Sequence, residues 1–132
     1  MTRLAGQEEA DLLGQARQLL LAVSESSAVR SGNRETCKQS LDEVFTSYPG
    51  YANLGVTSTN GEVFASAVPF AEPAIQSNHQ FFRRVLATRA FAVGDYSLDF
   101  TNDKPVVTFG CPVFDGANHV QAVVFADRKS VV

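Results

Sequence analysis

Long apolar runs are missing from this chain of 132 residues. The longest, Leu19 to Val23 among them, fall far short of the roughly 20 residues that a membrane span needs. The opening residues, Met1-Thr-Arg-Leu-Ala-Gly-Gln-Glu-Glu, lack the apolar core of a signal peptide. As it stands the sequence reads as a soluble chain. A basic excess is missing too: 11 Lys and Arg stand against 14 Asp and Glu, the formal net charge is -3, and no basic run exceeds a pair. Nothing there would track the phosphates of a nucleic acid. Cysteine is scarce. Cys37 and Cys111 are too few for a small domain held together by disulfides, and no Cys or His pair has the spacing of a zinc site. They read as two buried apolar thiols that stay unbridged.

What is present is an ordinary globular composition, 45% hydrophobic, in a length that suits one domain with one core. Leu12, Leu13, Ala16, Leu19, Leu20 and Val23 recur at helical spacing, which predicts a long first helix over about residues 5–30 that fails by Ser31-Gly32-Asn33. The stripe is longer than one small domain needs to cover, so the helix also reads as a weak parallel dimer contact through Leu4 and Leu12. A second helix carries Cys37, Leu41, Val44, Phe45 and Tyr48 on one face until Pro49-Gly50 stops it. The period then changes. Ala52, Leu54 and Val56 alternate along a strand, Asn60-Gly61 predicts a type I′ turn, and Val63, Ala65 and Ala67 return.

After a loop containing Pro73, Ser77 and Gln80 have capping-box spacing, with Phe81, Phe82, Val85 and Leu86 as the buried stripe of a third helix. Val106 to Phe114 and Val120 to Ala126 form a hairpin around Asp115-Gly116-Ala117-Asn118, with Pro112 expected at a bulge or on an unpaired side of its strand. The sum is an α+β domain with a mostly antiparallel sheet flanked by helices.

Catalytic groups do not assemble in this pattern. Nucleophilic catalysis needs a base beside Ser, Thr or Cys, and the two histidines, His79 and His119, have no visible triad partner. His119 falls in a turn. His79 falls in the first turn of the third helix, where the helix amino end favours an anion. Glu8-Glu9 and Asp42-Glu43 are adjacent pairs on helix surfaces and do not converge. Gly94-Asp95-Tyr96 offers close backbone approach and an aromatic plane with a hydroxyl, which suits either a pocket wall or a bulge with the Tyr packed on the core.

The order of these segments, Tyr51-Ala-Asn-Leu-Gly-Val56, Asn60-Gly61-Glu-Val-Phe-Ala-Ser-Ala-Val-Pro69, Ser77-Asn-His-Gln-Phe-Phe-Arg-Arg-Val-Leu86, Phe91-Ala-Val-Gly-Asp-Tyr96 and Lys104-Pro-Val-Val-Thr-Phe-Gly-Cys-Pro-Val-Phe114, resembles the Cache family of extracytoplasmic, PAS-like sensor domains over roughly residues 10–127. The resemblance implies a single sensor domain across 1–132, a signalling helix followed by a sensor core over about 33–127. It also implies a ligand-sensing module of a histidine kinase, diguanylate cyclase or chemoreceptor, periplasmic or extracellular, anchored by membrane helices outside this sequence. Neither an enzyme activity nor a cofactor is implied. In amino-acid-binding members the third-helix segment reads Arg-x-Trp-Tyr, followed by a Tyr on the next strand. The matching positions here are His79, Phe81, Phe82 and Tyr96, so the fixed cationic fork and one hydroxyl donor are replaced, which points to an organic acid or similar metabolite. The resemblance, together with the Gly94-Asp95-Tyr96 segment read from its own residues, places the pocket at His79, Phe82, Gly94, Asp95, Tyr96, Thr108 and Gly110. A cytoplasmic PAS- or profilin-like interaction domain without a ligand is the alternative reading.

Overall fold

The computed structural model describes residues 2–99 and 101–129. The side chains of residues 2–10 and of Asp95 lie outside the described residues, and with them the Leu4 contact expected for a dimer. The elements run α1 (Thr2–Glu25), α2 (Ser27–Arg30), α3 (Arg34–Thr46), β1 (Tyr51–Ser58), β2 (Val63–Ser66), α4 (Gln80–Thr88), β3 (Ala92–Leu98), β4 (Pro105–Phe114) and β5 (Val120–Lys129). The five strands make one sheet in the order β2-β1-β5-β4-β3, every neighbouring pair antiparallel.

Helices α1 to α3 lie on one face of the sheet, where Ala16, Leu19, Leu20, Val23, Cys37 and Leu41 are buried against Leu54, Val56, Phe109, Cys111, Val124 and Ala126. Each fully buried Leu or Val there contributes about 1.5–3 kcal/mol. The apolar stripe of α1 is thus spent mainly on its own sheet, while Leu13 and Leu21 stay 40% and 42% exposed. Cys37 and Cys111 are both free, buried thiols of this cluster, and burial pushes the Cys37 thiol up to about 11. Helix α4 covers the other face, burying Phe81, Phe82 and Val85 with Val63, Ala92, Val123 and Phe125.

Three local expectations are corrected. The first helix breaks at Ser26, whose extended backbone separates α1 from α2, so the single run over 5–30 is two helices. The Asn60-Gly61 turn is not type I′. Only Gly61 has positive φ, at 92°, because the Asn60 side chain accepts from the Glu62 amide and forms the turn in place of a second left-handed residue. Ser77 does not cap α4 either. The chain there is held in a preceding turn by Gln76 N–H donating to the Gly61 carbonyl and His79 N–H donating to the Gln76 carbonyl, so His79 becomes the N-cap, without a side-chain cap bond.

Gly61 has a second constraint: a Cβ there would come within 2.5 Å of Ser77 Cβ. Gly61→Ala is therefore expected to cost about 1–3 kcal/mol, from backbone strain and from the clash that displaces the segment entering α4. Chemical denaturation of the variant checks this, and an unchanged midpoint would mean that the turn relaxes freely. Pro112 sits where expected. β3 pairs with β4 only as far as Gly110, so β4 has no strand neighbour on that side at Pro112.

Candidate ligand-binding site

The register of β3 against β4 sets the geometry of one cavity. Val93 pairs with Phe109 and Tyr96 with Val107, so Gly94 and Asp95 together stand opposite Thr108 alone, which is a β-bulge. A side chain at Gly94 would be tightly placed: a Cβ would lie 3.1 Å from Phe81 Cβ and 3.2 Å from the Thr108 carbonyl oxygen. The first turn of α4 consequently comes down close to the bulge, and the space left beside it is a cavity of about 410 Å³. That is within the range of small-molecule sites.

Four of the residues expected from sequence border this cavity: His79, Gly94, Tyr96 and Thr108. Phe81 borders it in place of Phe82, which is 3% exposed and belongs to the core beneath α4. Tyr96 pairs with Val107, one residue out of phase with Thr108, and is 58% exposed, so it stands at the rim and is not packed on the core. Gly110 does not reach the cavity. Its missing Cβ seats α4, since a methyl group there would lie 2.8 Å from Phe81 Cδ2 and 2.9 Å from Val85 Cγ2. Asp95 is placed by its backbone in the bulge, and its side chain lies outside the described residues.

Two groups that carry charge were not foreseen. Arg83 lines the cavity one helical turn beyond His79, and its amide donates to the His79 carbonyl. The resemblance aligns a cation with position 79 alone, whereas i,i+4 spacing on α4 brings Arg83 to the same side. Asp127 is the other. It pairs in register with both Asn53 on β1 and Thr108 on β4, two residues beyond Phe125, on the sheet face that α4 covers. The Thr108 hydroxyl donates to Asp127 Oδ1 at 2.6 Å. A carboxyl in the middle of a buried strand was the signal there, because such groups are rarely interior without a partner.

Behind the Thr108 wall lie carboxyls that do not themselves border the cavity and reach it only through the Thr108 hydroxyl. Burial pushes the Asp127 carboxyl up to about 7; the Thr108 hydrogen bond opposes this, and the nearby Asp99 carboxylate adds to it. Asp99, 1% exposed, accepts at Oδ1 from the Thr101 amide and hydroxyl, whereas its Oδ2 has no hydrogen-bond partner among the described residues. No cationic side chain forms an ion pair with either carboxyl among the described residues. The corner behind Thr108 is therefore short of positive charge. At the opposite wall stand Arg83, His79 and the amino end of α4, where burial lowers the imidazole pKa. Among the described residues no group of three or more His, Cys, Asp or Glu side chains is arranged to hold a metal ion.

The fold is similar to that of solved ligand-binding and sensor domains of bacterial receptors. The Pseudomonas fluorescens chemoreceptor CtaA ligand-binding domain, solved with L-isoleucine, is similar at a TM-score of 0.78 and 9% identity, over 96% of this chain and 52% of that one. The Campylobacter jejuni chemoreceptor Tlp3 domain, with 4-methylisoleucine, gives 0.78 and 16%, over 96% and 55%. The V. cholerae histidine kinase DctB sensor domain gives 0.78 and 14%, over 97% and 52%. This chain thus spans about half the length of these solved domains. No protein-family model and no curated protein sequence matches it. No helix among the described residues is long and apolar enough to cross a membrane.

Proposed function

We propose that this chain is the ligand-sensing unit of a membrane-anchored receptor, a histidine kinase, diguanylate cyclase or chemoreceptor, facing the periplasm or the exterior. Its ligand is a small zwitterion. The observation that carries this reading is the polarity of the cavity between α4 and the β3 bulge, with Arg83, His79 and a helix amino end at one wall and Thr108 backed by Asp127 at the other. A protonated amine would complete the acidic corner, and a carboxylate or similar anion would lie against Arg83. The ligands solved in CtaA and Tlp3, L-isoleucine and 4-methylisoleucine, carry both groups and support the same reading. An organic acid without an amine would leave the acidic corner unpaired, so this reading departs from the organic acid expected from the sequence.

The likeness to receptor domains favours this function over a cytoplasmic interaction module and over an enzyme. Binding would shift populations between two packings of α4 and the bulge, with α1 and the end of β5 carrying the change toward the membrane. The same reading keeps a weak dimer through the outer half of α1, which sedimentation at high concentration tests.

The zwitterion is tested by calorimetry against amino acids, their amides and their deaminated acids. Amino acids are expected to bind, and both analogues to lose about tenfold or more in affinity. Arg83→Ala is expected to weaken amino acids at least as much while leaving stability unchanged, because the side chain is exposed. Equal binding of the deaminated acid would remove the amine from the proposal.

A further inference from the structure

The opposite face of the sheet holds a second cavity, about 440 Å³ in volume, between the later half of α1 and the ends of β3 and β4. Its walls are apolar: Leu21 from α1, Phe91 before β3, and Pro112 and Phe114 on β4. Its rim carries three guanidinium groups, from Arg17, Arg30 and Arg89, against one carboxylate, Glu25. None of the three arginines is within ion-pair distance of a carboxylate among the described residues.

Two of these cations are held in position. Arg17 lies over the Phe91 ring at 5.1 Å, and Phe91 itself stacks on Phe109 at 6.0 Å with planes 15° apart. Arg89 lies over the Phe114 ring at 5.3 Å, and its Nη2 donates to the Asn118 carbonyl. Arg89 is also the C-cap of α4, in left-handed conformation with φ 56°. Glycine is the residue that this position favours, and an arginine there costs roughly 1 kcal/mol of backbone strain. The Phe114 ring and the Asn118 carbonyl hold this side chain at the cavity edge despite that preference.

We propose that this cavity is a second binding site, for an amphipathic anion whose carboxylate meets Arg17, Arg30 and Arg89 and whose aromatic or branched body lies between Leu21, Phe91 and Phe114. A second copy of the chain is the poorer occupant, because an isologous contact centred on the groove would set each arginine cluster against its own copy. The floor carries no charge to oppose an apolar body, since burial raises the pKa of the Cys111 thiol. Occupancy would also tie α1 to β4 on the face away from the candidate zwitterion site, so it would bias the helix proposed to carry the signal.

The test uses 3-phenylpropionate as probe and 3-phenylpropionamide as its uncharged counterpart, titrated into the folded chain by heteronuclear NMR. The carboxylate is expected to shift the signals of Phe91, Phe114 and the later half of α1 saturably, and the amide to bind about tenfold or more weakly. Arg89→Gly should weaken the carboxylate by a similar factor while the melting temperature holds or rises, since glycine relieves the left-handed cap. Arg83→Ala should leave it unchanged, which separates this site from the one on the other face. Equal binding of acid and amide, no effect of Arg89→Gly, shifts confined to the Arg83 cavity, or concentration-dependent dimerisation through the groove would each overturn the proposal.

Discussion

Asp127→Asn is expected to raise stability at neutral and alkaline pH by on the order of 4 kcal/mol, and to leave it nearly unchanged in acid. The sign follows from the direction of the shift. The carboxyl titrates near its ordinary 3.8 in the unfolded chain and at about 7 in the folded one, chiefly because of burial. Between those values the folded state holds a proton that the unfolded state has lost, so stability falls as pH rises through this window and levels off above it. An amide at the same position cannot ionise, and its oxygen still accepts from Thr108 Oγ1, so the variant should show a flattened profile. Urea unfolding from about pH 4 to about pH 8 measures this. A variant no more stable than the parent at the upper end would mean that water or a bound cation already compensates the charge.

Ligand affinity should change in the opposite sense. A protonated amine favours ionised Asp127, so a zwitterion should bind more tightly as pH rises through about 7, and the Asn variant should lose both the affinity and its pH dependence. An anion held by the His79 imidazole alone would give the reverse, with binding strengthened as pH falls through the histidine range. Burial lowers the His79 pKa, which moves that titration further into acid and leaves Asp127 as the group that changes charge near neutrality.

The difference between those two expectations shows which parts of this protein were legible in its sequence. Periodicity located α1, α3, α4, β1 and β2, and Val- and Phe-rich composition located β4 and β5, whereas β3 was visible only as its Gly-Asp-Tyr segment, which has no alternating apolar pattern. Caps and turns were less legible. Ser77 and Gln80 have capping-box spacing, yet this is overridden by the tertiary bonds that tie Gln76 to Gly61 and to Thr57 Oγ1. Asn60-Gly61 is the commonest signal for a type I′ turn, yet the Asn60 side chain accepts from the Glu62 amide and sets a different turn. For the cavity, matching along the chain found His79, Gly94, Tyr96 and Thr108, which fall in three segments. It could not place Asp127 behind Thr108, because that neighbour arises only when β4 and β5 pair in register. Gly110 was assigned to the ligand for its small size, whereas the small size serves α4.

Phe81→Ala is the substitution expected to separate fold from site most severely. Phe81 is 1% exposed and packs on Phe125, with ring centroids 6.0 Å apart, and edge-on against Phe82 at 6.5 Å and His79 at 6.1 Å. It presses on the sheet where Gly94 and Gly110 leave room for it, so neither glycine can supply atoms to fill the space once the ring is gone. The loss is therefore expected near the full range for a buried aromatic, about 3–5 kcal/mol, and a fall in melting temperature of roughly 10 °C or more. Because the same helix turn carries His79 and the next carries Arg83, ligand affinity should fall as well, even at temperatures where the variant is still folded. Phe81→Leu keeps most of the volume and should cost less than half as much while retaining binding. Calorimetric melting and ligand titration of both variants distinguish the two contributions. If the Ala variant melts as the parent does, the second core cluster is not what holds α4 on the sheet. If it binds as the parent does, the cavity owes nothing to the seating of Phe81 against those two glycines.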